Sequence, residues 1–158
     1  MKKTIAVLSA LAMLTAFAVP FAVSAEDRGA VISTEIQPTY LVTIPADLTV
    51  VQNQEKSSFG AVKLVNAQIE PDKCITVTLN ASGALKHKKD ATKTLPYTIY
   101  QGKADAANLT AFTSATYLTA GESTDLTVGI TAADWKKAFA GEYSDTVTFR
   151  IAYTNKAS

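Results

Sequence analysis

His87 is the single histidine of this 158-residue chain, and Cys74 is its single cysteine. A serine hydrolase needs a histidine held by a carboxylate and facing a nucleophile. His87 stands instead in Lys86-His87-Lys88-Lys89-Asp90, a polar loop or strand end, and no Gly-x-Ser-x-Gly motif accompanies it. It reads as an exposed loop residue. One histidine and one cysteine cannot complete the three or four protein ligands of a zinc site, and they are too little for a cysteine-nucleophile enzyme. Asp72, Asp105, Asp125 and Asp145 lie in or near turns, without the dense spacing of a calcium loop. No two acids are spaced for glycosidase work. The expectation is a protein without catalytic residues, metal or cofactor.

Binding chemistry is better represented. The lysines at 86, 88 and 89, with Lys93 nearby, offer positive charge to an anionic polymer or a membrane surface, although a solvated loop accounts for them better. Trp135, Tyr143 and Tyr117 are candidate ligand-facing aromatics, since flat rings suit the apolar faces of sugars. Trp135 lies on a short helical segment beside Phe139, which also suits it to capping a core. Cys74 shares strand parity with Thr76 and Thr78, so it is expected to face away from the core. There it would be a free thiol or an interchain disulfide.

These residues follow a leader. Lys2 and Lys3 precede an apolar run from Ile5 to Val23, which closes on Val23-Ser24-Ala25. Charge, apolar stretch and small-residue exit form the pattern of a secretory signal peptide cut after Ala25. The apolar run is also long enough to invite the reading of a membrane anchor, which needs about 20 apolar residues. Cleavage leaves 133 residues, the size of one domain, and no second apolar run for stable membrane insertion. The leader holds two of the 15 basic residues and none of the 14 acidic ones, so the remainder carries 13 against 14, a net charge of −1. Such a balance gives no electrostatic footprint for nucleic acid. Secretion to the extracellular space or cell surface is the expected localisation.

Period-2 alternation marks the positioning elements. Tyr40, Val42 and Ile44 share a face until Pro45-Ala46-Asp47 breaks the run. Ile75, Val77 and Leu79 share another, and the sets Leu95, Tyr97, Ile99 and Leu126, Val128, Ile130 do likewise. The strongest set is Val147, Phe149, Ile151 and Tyr153. Residues 31–36 and 59–66 read as further strands, with short ones near 109–112 and 116–119. Glu70-Pro71-Asp72-Lys73, residues 80–83, Gln101-Gly102 and 120–123 read as turns. Thr131 is a good N-cap for a helix over about 131–139, stopped by Gly141. Seven to nine short strands and one helix predict an all-β, Greek-key β-sandwich of 26–158, with a closed barrel as the alternative.

The stretch from Ala132-Ala133-Asp134-Trp135 through Ala140-Gly141-Glu142-Tyr143-Ser144-Asp145-Thr146-Val147-Thr148-Phe149 to Ile151 resembles the C-terminal end of secreted bacterial immunoglobulin-like domains. These include spore-coat-U-like and fimbrial-type modules and uncharacterised surface proteins of Gram-positive bacteria. Tyr40-Leu41-Val42-Thr43-Ile44-Pro45-Ala46 is similar to their first core strand. The closer match covers about 20 residues. It implies that Gly141 permits a sharp turn into the last strand, that Tyr143 anchors a corner, and that Val147, Phe149 and Ile151 fill the core. It carries no catalytic residue.

The resemblance also implies a mode of assembly, in which an extended terminal segment of one subunit fills a strand gap in the next. Here the candidate segment is 26–37, where Ile32, Thr34 and Ile36 alternate with Ser33 and Glu35. Pairing within its own domain is the competing expectation. The reading is therefore a non-catalytic structural or adhesive module of the bacterial cell surface, with self-association or other surface proteins as partners. The alternative is an extracellular carbohydrate-binding module with a glycan partner. A small hydrolase or hydrolase inhibitor is a third and weaker reading.

Overall fold

The computed structural model describes residues 30–157. The leader expected over 1–25, and residues 26–29, lie outside the described residues. The chain divides into a unit ending at Thr34 and a unit Glu35–Ser158. Of the first, only residues 30–34 are described, and they form no helix or strand.

The second unit is almost entirely β. Its strands are β1 (Thr39–Thr43), β2 (Lys56–Gln68), β3 (Lys73–Asn80), β4 (Ala84–His87), β5 (Thr94–Pro96), β6 (Thr98–Gln101), β7 (Thr110–Ala111), β8 (Ser114–Tyr117), β9 (Ser123–Gly129), β10 (Tyr143–Ser144) and β11 (Thr148–Asn155). One helix, α1 (Ala132–Lys137), precedes the last two. A five-stranded sheet runs β1-β2-β9-β6-β7, and two three-stranded sheets run β11-β3-β8 and β10-β4-β5, with every pairing antiparallel. Phe59 of β2 and Phe149 of β11 meet at 6.2 Å between ring centroids. The five-stranded sheet and the β11-β3-β8 sheet therefore face each other as the two layers of a sandwich.

The alternating residues converge where alternation places them. Val62, Leu64, Ile75, Val77, Leu95, Tyr97, Ile99, Phe112, Tyr117, Leu126, Val128 and Ile130 form one buried cluster. Parity alone puts them there, because successive side chains of a strand point to opposite faces. The run Leu95, Tyr97, Ile99 is not one strand, however. Pro96 ends β5, which pairs with β4, and β6 then joins β9 in another sheet. Alternation continues through the switch because all three residues face the same core.

Three sequence expectations are corrected here. Residues 31–36 form no strand, and pairing begins at Thr39. The helix ends at Lys137, not at 139, because Ala138 turns its N–H back to the Trp135 carbonyl and leaves helical geometry three residues before Gly141. Cys74 keeps the parity of Thr76 but is buried. Its thiol sits 3.3 Å from Thr154 Oγ1, and Thr76 Oγ1 bonds Thr154 Oγ1 across the strand pair at 2.9 Å. Parity names the face of a strand and not what covers it. The N-cap is as expected, with the Thr131 side chain accepting the Asp134 N–H at 3.1 Å.

Gly141 has φ 143°, and a Cβ there would collide with Nε2 of the His87 ring. Gly141→Ala is expected to cost about 1–3 kcal/mol through backbone strain alone, and more through the collision. Urea unfolding of Gly141→Ala in wild-type and His87→Ala backgrounds separates the two causes. The cost should shrink, but not vanish, when the ring is gone.

Candidate functional site

The two layers are unequal in width, and the difference exposes an opening. Among the described residues β1 ends one layer and β11 ends the other, each paired on one side only. These edges lie together, since Tyr40 of β1 stacks on Tyr153 of β11 at 6.1 Å. Register places Ile151 beside Val77 and Tyr153 beside Ile75, on the core face. Yet Val77 and Ile75 are fully buried, whereas Ile151 is 38% exposed. On the opposing edge Tyr40 is 41% and Ile44 49% exposed. The core is thus open along the line between β1 and β11.

A cavity of about 490 Å³ meets this line at Ile44 and Phe149 and is lined further by Phe59, Ile99, Val128 and Val147 among others. A strap of irregular chain, residues 44–55, follows β1 and borders it. Pro45 of the strap sits over Gly60, where a β-bulge near Ser58 and a φ of 108° shape β2. Leu48 and Val50 pack against the buried cluster. On the other side of the strap lies a second cavity of about 580 Å³, bordered by Trp135, Phe139, Tyr143 and Gln52. Leu48, Val50, Leu85 and Asp145 border both.

Asp145 ties the wall between the cavities. Its Oδ2 accepts the Ser82 hydroxyl and the Tyr97 hydroxyl, each at 2.6 Å. Burial alone would raise this carboxyl, but those two bonds and the backbone N–H groups of Thr146 and Ser82 outweigh it and hold it below the ordinary aspartate value. Tyr97 is pushed the other way, upward, by burial first and then by the Asp145 carboxylate. This is a clamp that joins the turn before β4, the core and the segment before β11.

The aromatic candidates separate. Trp135 and Tyr143 border the second cavity together. The indole Nε1 donates to the Gln54 carbonyl at 3.2 Å, and the ring packs on the core. Tyr143 exchanges two bonds of 3.0 Å with the backbone of Phe139, accepting its N–H and donating to its carbonyl, and so pins the corner before β11. Tyr117 is buried in the core, its hydroxyl bonded to Thr124 at 2.9 Å, and joins neither cavity. Burial first, with the Glu122 charge adding to it, raises that phenol. Ile32 is 98% exposed, and Ile36 is exposed too.

His87 corrects another expectation, because it is buried at the end of β4 rather than exposed in a loop. Nδ1 accepts the N–H groups of Lys89 and Asp90 at 3.1 and 3.2 Å, which leaves Nε2–H to donate to the Ala140 carbonyl at 3.1 Å. With both nitrogens committed and Tyr143 packed edge-on, the ring is a joint between two loops. Beside it, Lys88 pairs with Glu142 at 2.7 Å and Lys93 lies over the Phe139 ring at 5.1 Å. The strap was missed by sequence reasoning, and Asp145 was read only as a carboxylate in or near a turn. Leu48 and Val50, two apart beyond a proline, were the available signal for the strap. Among the described residues no group of three or more His, Cys, Asp or Glu could hold a metal ion. No described helix is long and apolar enough to cross a membrane.

The Asp145 clamp has a pH signature. A carboxyl whose folded pKa is depressed adds stability that is present above its unfolded value of about 3.9 and is lost as pH falls through the folded one. Asp145→Asn is therefore expected to lower stability at pH 7 and to flatten the acid loss below about pH 5. Urea midpoints across that range test it, and equal pH slopes for both proteins would count against the clamp.

Comparison with known proteins gives little to lean on. No protein-family model matches the chain, and no curated protein matches it. One similar solved structure is described as "Chaperone-tip adhesin complex is vital for synergistic activation of CFA/I fimbriae biogenesis", at 13% identity and a TM-score of 0.48. The likeness covers 75% of this chain, which spans 43% of that one.

Proposed function

We propose that this chain is a non-catalytic structural or adhesive module of the bacterial cell surface, and that it assembles by strand exchange. The observation that carries the reading is the open line between β1 and β11, where two sheet edges and a partly bare core face meet an apolar cavity. An edge strand offers a row of unpaired N–H and C=O groups to any extended chain. The occupant is residues 30–37 of a second copy. They carry no strand or helix of their own, and Ile32, Thr34 and Ile36 alternate as an added strand requires. Eight extended residues reach about 26 Å, the length of the eight-residue β11.

A carbohydrate-binding role is the second reading. It is favoured by the cavity beside Trp135, Phe139 and Tyr143, where Phe139 is 60% exposed. Quenching of Trp135 fluorescence by glycans at that wall would support it, and a silent glycan array would remove it.

The first reading is tested with the chain from residue 26 on and its Ile32→Asp/Ile36→Asp variant. Ile32 and Ile36 are exposed and stand outside the buried cluster, so the changes are expected to leave the fold intact. Light scattering and negative-stain microscopy should show concentration-dependent oligomers or filaments that the variant has lost. Monomers of the unaltered chain at every concentration would overturn strand exchange.

A further inference from the structure

The opening already has a lodger. Residues 44–50 lead away from β1 carrying Leu48 and Val50 onto the core, yet among the described residues their backbone N–H and C=O groups make no backbone hydrogen bond. The strap is fastened only at its ends. Pro45 rests on Gly60, with its Cβ 3.5 Å from where a Cβ of that glycine would stand. At the far end Gln54 N–H closes a turn on the Val51 carbonyl at 3.1 Å, Trp135 Nε1 holds the Gln54 carbonyl, and Ile130 N–H holds the Glu55 carbonyl at 3.0 Å. Between these fastenings it is held by side-chain contact alone. The cavities on its two sides share Leu48, Val50, Leu85 and Asp145, so the strap forms part of the wall between them.

We infer that strap residues 46–50 are a displaceable plug of the acceptor cleft, which the incoming segment of a second copy must push aside, so that the strap regulates assembly. This deepens the strand-exchange reading and rests on it. The physical case is an exchange of unequal occupants. Leu48 and Val50 cover Leu85 and the inner core but leave main-chain groups to water. An incoming strand covers apolar surface as well, and it also pairs with the free edge of β11. Each such bond adds about 0.5–1.5 kcal/mol net. The strand therefore wins at equilibrium, while the closed strap lowers the competent fraction and weakens apparent affinity by that fraction. A subunit so built stays covered until a partner strand arrives, which protects an exposed edge from indiscriminate pairing.

The test uses the chain from residue 26 on, with Ile32→Asp/Ile36→Asp to stop it donating, as acceptor, and a synthetic peptide of residues 30–37 as donor. Association is followed by stopped-flow Trp135 fluorescence, because the indole holds the strap's far end. Leu48→Asp/Val50→Asp should loosen the plug and raise the association rate about tenfold or more, with tighter binding by a similar factor. The milder pair Leu48→Ser/Val50→Thr should give a smaller rise, and it decides the matter if the acidic pair fails to fold by circular dichroism. Peptide binding with rates indifferent to both pairs would overturn the plug and leave strand exchange standing. No binding to any acceptor would overturn both.

Discussion

An apolar β-face has to be covered, and β11 presents one that is covered on only part of its length. The contrast lies within one sheet. Ile75 and Val77 on β3 are fully buried, and one strand away their register partners Tyr153 and Ile151 are not. Nothing about the residue types explains this, since all four are apolar or aromatic. The cause is lateral. β3 has a neighbour on each side, whereas β11 has one. Each Å² of apolar surface left in water forgoes about 25 cal/mol, so a strand docking along this line gains from residues that the sandwich has already positioned. The strap and the first cavity lie at the Phe149 end of that line.

The clamp and the corner show how the opening is kept from collapsing. Tyr97 belongs to the buried core, yet its hydroxyl reaches Asp145 at the cavity wall. Ser82 fixes the same oxygen from the turn before β4. A few residues earlier, Tyr143 and His87 brace the segment between α1 and β11. These contacts hold the segment that leads into β11. On its outer face Arg150 stands exposed, a charge of the kind that discourages unspecific edge pairing.

Much of the sandwich was legible because strands that face one core share one parity. Val62, Leu126 and Val128 are buried for that reason, and the Thr131 cap was readable from the preference of a helix start for a hydroxyl. The remainder depends on what lies over a face, which no periodicity encodes. Cys74 has the outward parity and is nevertheless buried under cross-strand threonines. His87 looks like a loop residue among lysines, and only the path of residues 138–142 encloses it. Residues 31–36 alternate as a strand should, but alternation supplies no partner. Leu48 and Val50 of the strap are spaced as a strand would space them, and no periodicity marks a segment that packs without pairing.

Hydrogen exchange along β11 tests the central claim most directly. The non-donating Ile32→Asp/Ile36→Asp chain would be measured alone and with saturating peptide 30–37. The account predicts that the amides of Thr148–Asn155 that do not bond to β3 exchange quickly in the free chain and become protected when the peptide is present. Peptide binding that leaves those amides exchanging at their free rates would contradict it, because the occupant would then lie somewhere other than the open edge.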